Sequence, residues 1–397
     1  MRAAAMSRET TALLVPHEPF RALYIHIPFC KKRCSYCDFS TEAIARDDDA
    51  VQSYVERLVV ELFRVSRAGE LSQVESVYIG GGTPTHLGLS KLSGLLYALS
   101  LSMSLSPERC EVTMEANPES LTDRIVCDAW AMGVNRLSIG VQSFDDGVLQ
   151  TLGRAHDAEG ALRAIETAKL RFQNVSCDLM CGIPGQSEAS LRRSVAAAVE
   201  AGVSHVSVYP LSVERGTPLA RSIEAGMMVE SDDDEQADHM RAAEELLVSA
   251  GFHRYEVASY AKPGFECRHN RAYWTGAPYL GLGSSAVSML QNGSERIRVR
   301  DGVVEDRMPA CEALIEDVML GMRMSEGPAS QLTARAMEAF PCLQAALEDL
   351  EARGYVERAL GCWRPTDAGW LCGNDLYGRI IDCAESPDQP RGPALAK

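Results

Sequence analysis

Three cysteines stand close together near the start of the chain, Cys30, Cys34 and Cys37, in the stretch YIHIPFCKKRCSYCDFS that begins at Tyr24. Their spacing is C-x-x-x-C-x-x-C, and no fourth ligand follows in the same loop. A structural zinc site takes four protein ligands and commonly draws them from two separated pairs. Iron-sulfur clusters are held by thiolates, and a four-iron cluster ordinarily uses four. Three thiols therefore leave one iron open, able to chelate a small molecule. Lys31, Lys32 and Arg33 make the loop polar and are expected to lower the thiol pKa values, favouring thiolates. Cys177 and Cys181 flank Asp178 at a spacing that a second cluster could use, but alternation along a strand accounts for them without metal.

Such a loop needs elements that hold it in place. Short apolar runs predict strands at 22–27, 74–79, 111–115, 136–141, 175–180 and 205–211. Between them lie helical periods: Val51, Tyr54, Val55, Leu58, Val59, Leu62 and Phe63 keep an i, i+3, i+4, i+7 rhythm, and Leu191, Val195, Ala198 and Val199 repeat it. Regular alternation of strand and helix implies a parallel sheet with right-handed crossovers, curled into a complete or partial barrel. Each strand runs into chemically distinctive residues at its C-terminal end: Cys30, the run Gly80-Gly81-Gly82-Thr83-Pro84, Glu115-Ala116-Asn117-Pro118, Gln142-Ser143, Asp178 and Tyr209-Pro210. Parallel barrels gather their sites on that face, so these residues are expected around one mouth. There the glycines would let backbone groups approach a ligand closely, a tight turn being the rival reading. Glu115, Gln142, Arg154 and Asp178 would offer donors and acceptors. His26 is expected to support the strand.

Beyond about residue 218 the pattern changes. Asp232-Asp233-Asp234-Glu235 reads as the capped start of a helix running to Leu247. The stretch YEVASYAKPGFECRHNRAYWTGAPYLGLGSSAVS is polar, aromatic and Gly-rich, too irregular for a core helix. From about Cys311, helical patterns followed by RGYVERALGCWRPTDAGW resemble a winged-helix unit, with few basic residues to meet phosphates. The expected organisation is an N-terminal extension at 1–20, a barrel at 21–220, an extension at 221–305 and an α+β winged-helix-like module at 306–397. Lys and Arg number 39 against 55 Asp and Glu, a net charge of -16 that argues against nucleic acid as a partner. No apolar stretch approaches the roughly 18 residues of a membrane span, and the thirteen cysteines come without a secretory signal, so a reducing, cytoplasmic setting is expected. Either Met1 or Met6 could be the start.

The cysteine spacing, followed by an aromatic residue on the first strand of a barrel, resembles the radical S-adenosylmethionine (SAM) superfamily across about residues 20 to 290. That resemblance implies a partial (β/α)6 TIM-type barrel and a [4Fe-4S] cluster on Cys30, Cys34 and Cys37. It also implies SAM on the fourth iron, cleaved to a 5'-deoxyadenosyl radical. YIHIPFC, GGGTPT, EANPES, RLSIGVQSF, LGRAHD, DLMCGIPGQ and HNRAYW together look like the oxygen-independent coproporphyrinogen III oxidases and their relatives, the heme chaperones called HemW. By that likeness Tyr24, Tyr36, Gly81, Gly82, Thr83, Glu115, Gln142, Arg154, Asp178 and Pro210 fall where SAM contacts lie, with Arg154 as a carboxylate clamp.

Two departures favour the chaperone branch. The oxidases carry a further cysteine two residues after the third ligand, where this chain has Phe39, and only 23 residues precede Tyr24, fewer than in the oxidases' arm. The H-N-x-x-Y-W signature at His269 to Trp274 makes His269 a candidate heme ligand, the alternative being a turn cap with Trp274 in the core. The resemblance thus implies a cytoplasmic chaperone that binds heme and delivers it to acceptors such as respiratory enzymes, some of them at the membrane periphery. Cluster and SAM would then support a homodimer or regulation. The competing expectations are an oxidase that decarboxylates two propionates of coproporphyrinogen, a heme-opening methyltransferase relative, and a winged-helix regulator that senses oxygen or iron through a cluster.

Overall fold

The first strand, β1 (Ala22–Ile27), is a nearly continuous apolar run, as a strand covered on both faces must be. The chain repeats the theme in β2 (Ser76–Gly81), β3 (Glu111–Ala116), β4 (Arg136–Gln142), β5 (Asn174–Cys181) and β6 (His205–Pro210). In the computed structural model, which describes residues 16–359 and 361–384, these six strands pair in chain order and in parallel. The expected ranges agree with the observed ones to within two residues. The largest departure is β2, which starts at Ser76 because Val74 closes a turn on Leu71 and Ser76 is the residue in register with Ala22.

The sheet is wider than the sequence implies. After β6 the chain adds β7 (His253–Glu256) and β8 (Ser259–Ala261), and then β9 (Tyr279–Leu282), β10 (Val287–Gln291), β11 (Glu295–Arg300) and β12 (Val303–Pro309). The spatial order is β12-β11-β10-β9-β1-β2-β3-β4-β5-β6-β8-β7. β9 joins β1 in parallel, while β8 runs antiparallel to β6. The outer strands β12 and β7 do not pair, and side chains from β2 to β6 line one cavity, so the sheet curls without closing. The stretch from 255 to 288 therefore contributes short strands joined by turns, with one seven-residue helix, Arg268–Trp274, before β9.

Crossover helices cover the outer face. Helix Asp49–Arg67 is capped by Asp48 and buries Val51, Tyr54, Val55, Leu58, Leu62 and Val65, while Val59 and Phe63 are only partly covered. Its Tyr54 hydroxyl donates to His26 O at 2.8 Å and accepts from Ser284 N, tying the helix to the end of β1 and the loop after β9. Asp232 caps helix Asp233–Ser249 through Glu235 N, as the acidic run implies. Cys177 and Cys181 are fully buried in the main core.

A second core, including Ile315, Val318, Leu343, Leu347, Leu350, Trp363 and Leu376, joins helices Ala310–Gly321, Ser330–Ala339 and Cys342–Ala352 to the hairpin of Val356–Ala359 and Cys362–Pro365. Its first helix is anchored to the sheet by buried Arg296 on β11, which donates to Glu316 at 2.6 Å and Asp317 at 2.7 Å. Among the described residues no helix is long and apolar enough to cross a membrane. Residues 1–15, with both candidate start methionines, and the end of the last module from 385 lie outside the described residues.

Candidate functional site

The cysteine loop is fastened before it carries any ligand. Phe29–Cys30 pairs in parallel with Glu42–Ala43, so the loop begins and ends side by side. In between, Ser35 N donates to Leu152 O at 3.0 Å, Ser35 Oγ to Thr151 O at 2.8 Å, and Leu219 N to Ser35 O at 2.8 Å. The loop is thus pinned to the segments after β4 and β6.

The glycine run explains how the loop comes so close to the sheet. Gly80 and Gly81 are strand residues, in register with His26 and Ile27, and form no tight turn. Gly82 N and Thr83 N extend the ladder to Ile27 O and Phe29 O, both at 2.8 Å. A Cβ on Gly82 would lie 2.8 Å from Phe29 O, and one on Gly81, whose φ is +110°, would lie 2.4 Å from the His26 ring. The missing side chains therefore make room first for the protein's own loop and imidazole.

Each thiol has a partner at the mouth. Thr83 Oγ1 donates to Cys30 Sγ at 3.5 Å, Arg154 Nη1 to Cys34 Sγ at 3.3 Å, and Cys37 Sγ lies 3.9 Å from Thr41 Oγ1. Asn117 joins the first two: its Nδ2 donates to Thr83 Oγ1 at 2.8 Å and its Oδ1 accepts from Arg154 Nη2 at 2.8 Å. An arc Cys30-Thr83-Asn117-Arg154-Cys34 therefore runs across the ends of β2, β3 and β4. Asn117 stood in the expected strand-end run Glu115-Ala116-Asn117-Pro118 but was given no role among the candidate contacts; the bonds to Thr83 and Arg154 supply one. Arg154 also donates to Gly140 O at 2.5 Å, so its Nη atoms hold protein groups and serve as more than a carboxylate clamp.

One expectation about charge needs correcting. Lys31, Lys32 and Arg33 are exposed, and burial pushes the Cys30 thiol up, only partly offset by the Thr83 hydrogen bond and by Arg154. The cation that faces the thiols from inside is Arg154. Pro210 is exposed at the end of β6, and its neighbour Tyr209 is the residue that lines the cavity.

The cavity, roughly 400 Å³, is bordered by all three cysteines together with Tyr36, Gly81, Gly82, Glu115, Gln142, Arg154 and Asp178. Tyr24 and Thr83 stand behind this lining: the Tyr24 hydroxyl is 2.9 Å from His26 Nδ1, whose ring donates through Nε2 to Ser40 O at 3.1 Å. His26 thus has the supporting part expected of it. Asp178 accepts from Ser138 Oγ at 3.0 Å and from Ser176 Oγ at 3.3 Å, and burial raises its pKa. Gln142 has φ +68° at a β-bulge against β5, a strained conformation of the kind that collects at ligand sites.

Glu115 accepts from the Tyr78 hydroxyl at 2.8 Å and from Gly81 N at 3.0 Å, yet burial outweighs both bonds and pushes its carboxyl up to about 7. The folded protein then binds a proton that the unfolded chain, titrating near 4.5, has released. This contribution to stability is complete below about pH 4.5 and is lost as pH rises through about 7. Glu115→Gln should remove it: the melting temperature of the variant relative to wild type should rise by about 3 °C between about pH 5 and about pH 8, read by calorimetry.

His269 takes a different position from the other predicted site residues. It is 1% exposed, its Nδ1 is 3.0 Å from Ser76 Oγ, and its ring packs on Tyr78 and Tyr273. It does not line the mouth cavity; its neighbour Asn270 does. Burial pushes the imidazole down to about 3, so it is neutral.

The donor set fits a cluster better than a single ion. Three thiols border one cavity, while among the described residues no three His, Cys, Asp or Glu side chains converge as ligands of one ion. Thiols are the donors that an iron-sulfur cluster takes.

The family model of the Radical SAM superfamily matches residues 24–198. The heme chaperone HemW of Mycobacterium tuberculosis is 41% identical over 274 residues, which cover 68% of this chain and 70% of that protein. The heme chaperone HemW of Escherichia coli is 33% identical over 374 residues, 90% of this chain and 97% of that protein. The coproporphyrinogen III oxidase HemN of Escherichia coli, a solved structure, superposes with a TM-score of 0.75 at 21% identity, covering 92% of this chain and 90% of that one, and shares the fold.

Proposed function

Since the chain belongs to the HemW family of radical SAM proteins, we propose that it is a heme chaperone: it binds heme beside a [4Fe-4S] cluster with SAM and passes the heme to acceptor proteins. The observation that carries this reading is three thiols held around one cavity, with exposed Phe39 where the decarboxylating branch has a further cysteine.

Cys30, Cys34 and Cys37 would hold the cluster, which when bound supplies an electron for SAM. The residues of the chain do the rest. Arg154, through the arc with Asn117 and Thr83, fixes where two thiols stand and keeps a positive charge beside them. Tyr36, Gly81, Gly82, Glu115, Gln142, Arg154 and Asp178 would contact SAM directly. Tyr24 would act through His26, Thr83 through Cys30, and Pro210 by aiming Tyr209. His269 suits a heme ligand in one respect: Nδ1 is held by Ser76, and Nε2 has no partner among the described residues, as an axial imidazole requires. To meet iron it needs helix Arg268–Trp274 to shift, because the ring is covered. The acceptors would be heme enzymes such as those of respiration, met in the cytoplasm or at the membrane edge. A homodimer held together by the loaded site, with no nucleic acid, completes the reading.

Anaerobic titration tests it. The cluster-loaded protein should bind heme with a Kd at or below about 1 μM and surrender it to an apo-acceptor. With coproporphyrinogen III, SAM and reductant it should release no carbon dioxide. Steady formation of protoporphyrinogen would establish the oxidase reading in its place.

A further inference from the structure

Arg136, the first residue of β4, is 2% exposed, and neither its Nε nor its Nη1 meets an acceptor among the described residues. A buried guanidinium left in this condition is costly, because its charge has lost water without gaining hydrogen bonds. A neighbouring carboxylate, that of Glu111 on β3, is engaged elsewhere: it accepts from Arg268 N at 3.1 Å, His269 N at 3.3 Å and Cys267 Sγ at 3.3 Å. Glu111 therefore offsets the charge of Arg136 across space without accepting from it.

Arg136 lines the cavity that the three cysteines border, and Asn270 of the HNRAYW stretch lines it too. Arg136 also begins its strand six residues before Gln142, roughly 20 Å lower at about 3.3 Å per residue. In register it pairs with Thr113, two residues below Glu115, and with Asn174, four residues below Asp178, so it stands at the lower end of the strands whose upper ends form the mouth. One continuous cavity thus has a thiol-lined mouth and a cationic floor.

We propose that this floor is a second subsite, in which Arg136 receives a carboxylate arm of an organic ligand that enters the barrel beneath the SAM position. Glu115 and Asp178 border the same cavity and disfavour a dianion, so a single carboxylate fits better than a phosphate. For a tetrapyrrole the arm is a propionate. The inference rests on the mouth being a ligand site, and it assigns Arg136 a role that packing alone leaves unexplained.

The test compares protoporphyrin IX with its dimethyl ester on cluster-loaded protein with SAM, by fluorescence quenching, in wild type, Arg136→Gln and Arg136→Lys. Wild type should prefer the diacid by about tenfold, Arg136→Gln should bind the two alike, and Arg136→Lys should keep part of the preference. A purely structural role would shift melting temperature and leave the ratio intact. Equal binding in wild type, or an undiminished preference in Arg136→Gln, overturns the proposal. If porphyrin does not bind wild type at all, the chaperone reading fails. Sodium propionate against propionamide then decides the subsite: stabilisation by propionate in wild type that Arg136→Gln lacks supports it, and no difference refutes it. Equilibrium dialysis of SAM, expected unchanged in Arg136→Gln, keeps the mouth and the floor separate.

Discussion

Changing any one of Cys30, Cys34 or Cys37 to alanine should leave anaerobically reconstituted protein with less than about a tenth of the wild-type iron and sulfide, because two thiolates cannot retain a four-iron cluster. The fold should survive, since the three thiols lie part-buried in a loop fastened by backbone hydrogen bonds at both ends. The contrast is with the core thiols. Cys177→Ala or Cys181→Ala removes a fully buried sulfur and should cost about 1–2 kcal/mol of stability while cluster content stays at the wild-type level. Iron and sulfide analysis beside thermal melting separates the two classes. Equal iron loss in both would mean that the thiols act through folding.

Arg154→Ala should weaken SAM binding by at least about a hundredfold, a loss of roughly 3 kcal/mol, and should also reduce cluster loading. One guanidinium supplies donors to Cys34 Sγ, Asn117 Oδ1 and Gly140 O, so its removal strands two oxygens and a thiolate together. Lysine brings the charge but presents it as a point, and cannot reach three acceptors in fixed directions. Arg154→Lys should accordingly recover less than about a tenth of the lost affinity by equilibrium dialysis. Asn117→Ala breaks the same arc at its middle and should give a milder version of the phenotype, since Arg154 keeps its bonds to Gly140 and Cys34.

The parallel half of the sheet was legible because its strands are buried on both faces, which forces apolar runs that need no partner to be recognised. β1 coincides with its expected range, and the chemical residues at the strand ends do meet at one mouth. The strands from 253 to 309 were hidden for a different reason. β7 and β8 are four and three residues long, too short to show a period, and β11 reads ERIRVR, where Arg296 counts as polar. In the fold Arg296 is buried, because Glu316 and Asp317 from another element neutralise it. The roles of Asn117 and Arg136 were hidden on similar grounds. What makes them matter is a bond across three strand ends in one case and, in the other, the lack of acceptors among the described residues for two guanidinium nitrogens, neither of which leaves a trace in local spacing. The basic run after Cys30 misled for the converse reason: adjacency in sequence suggested a field that favours thiolates, while these side chains are exposed and Arg33 Nε donates to Cys37 O at 3.2 Å.

The open iron is the claim on which the site depends, and electron paramagnetic resonance of the reduced, cluster-loaded protein examines it directly. Adding SAM should shift the cluster signal, and SAM carrying oxygen-17 in its carboxylate should show a hyperfine coupling to that cluster. Spectra unchanged by saturating SAM, with no coupling from the label, would contradict a cluster whose fourth corner is left to the nucleotide.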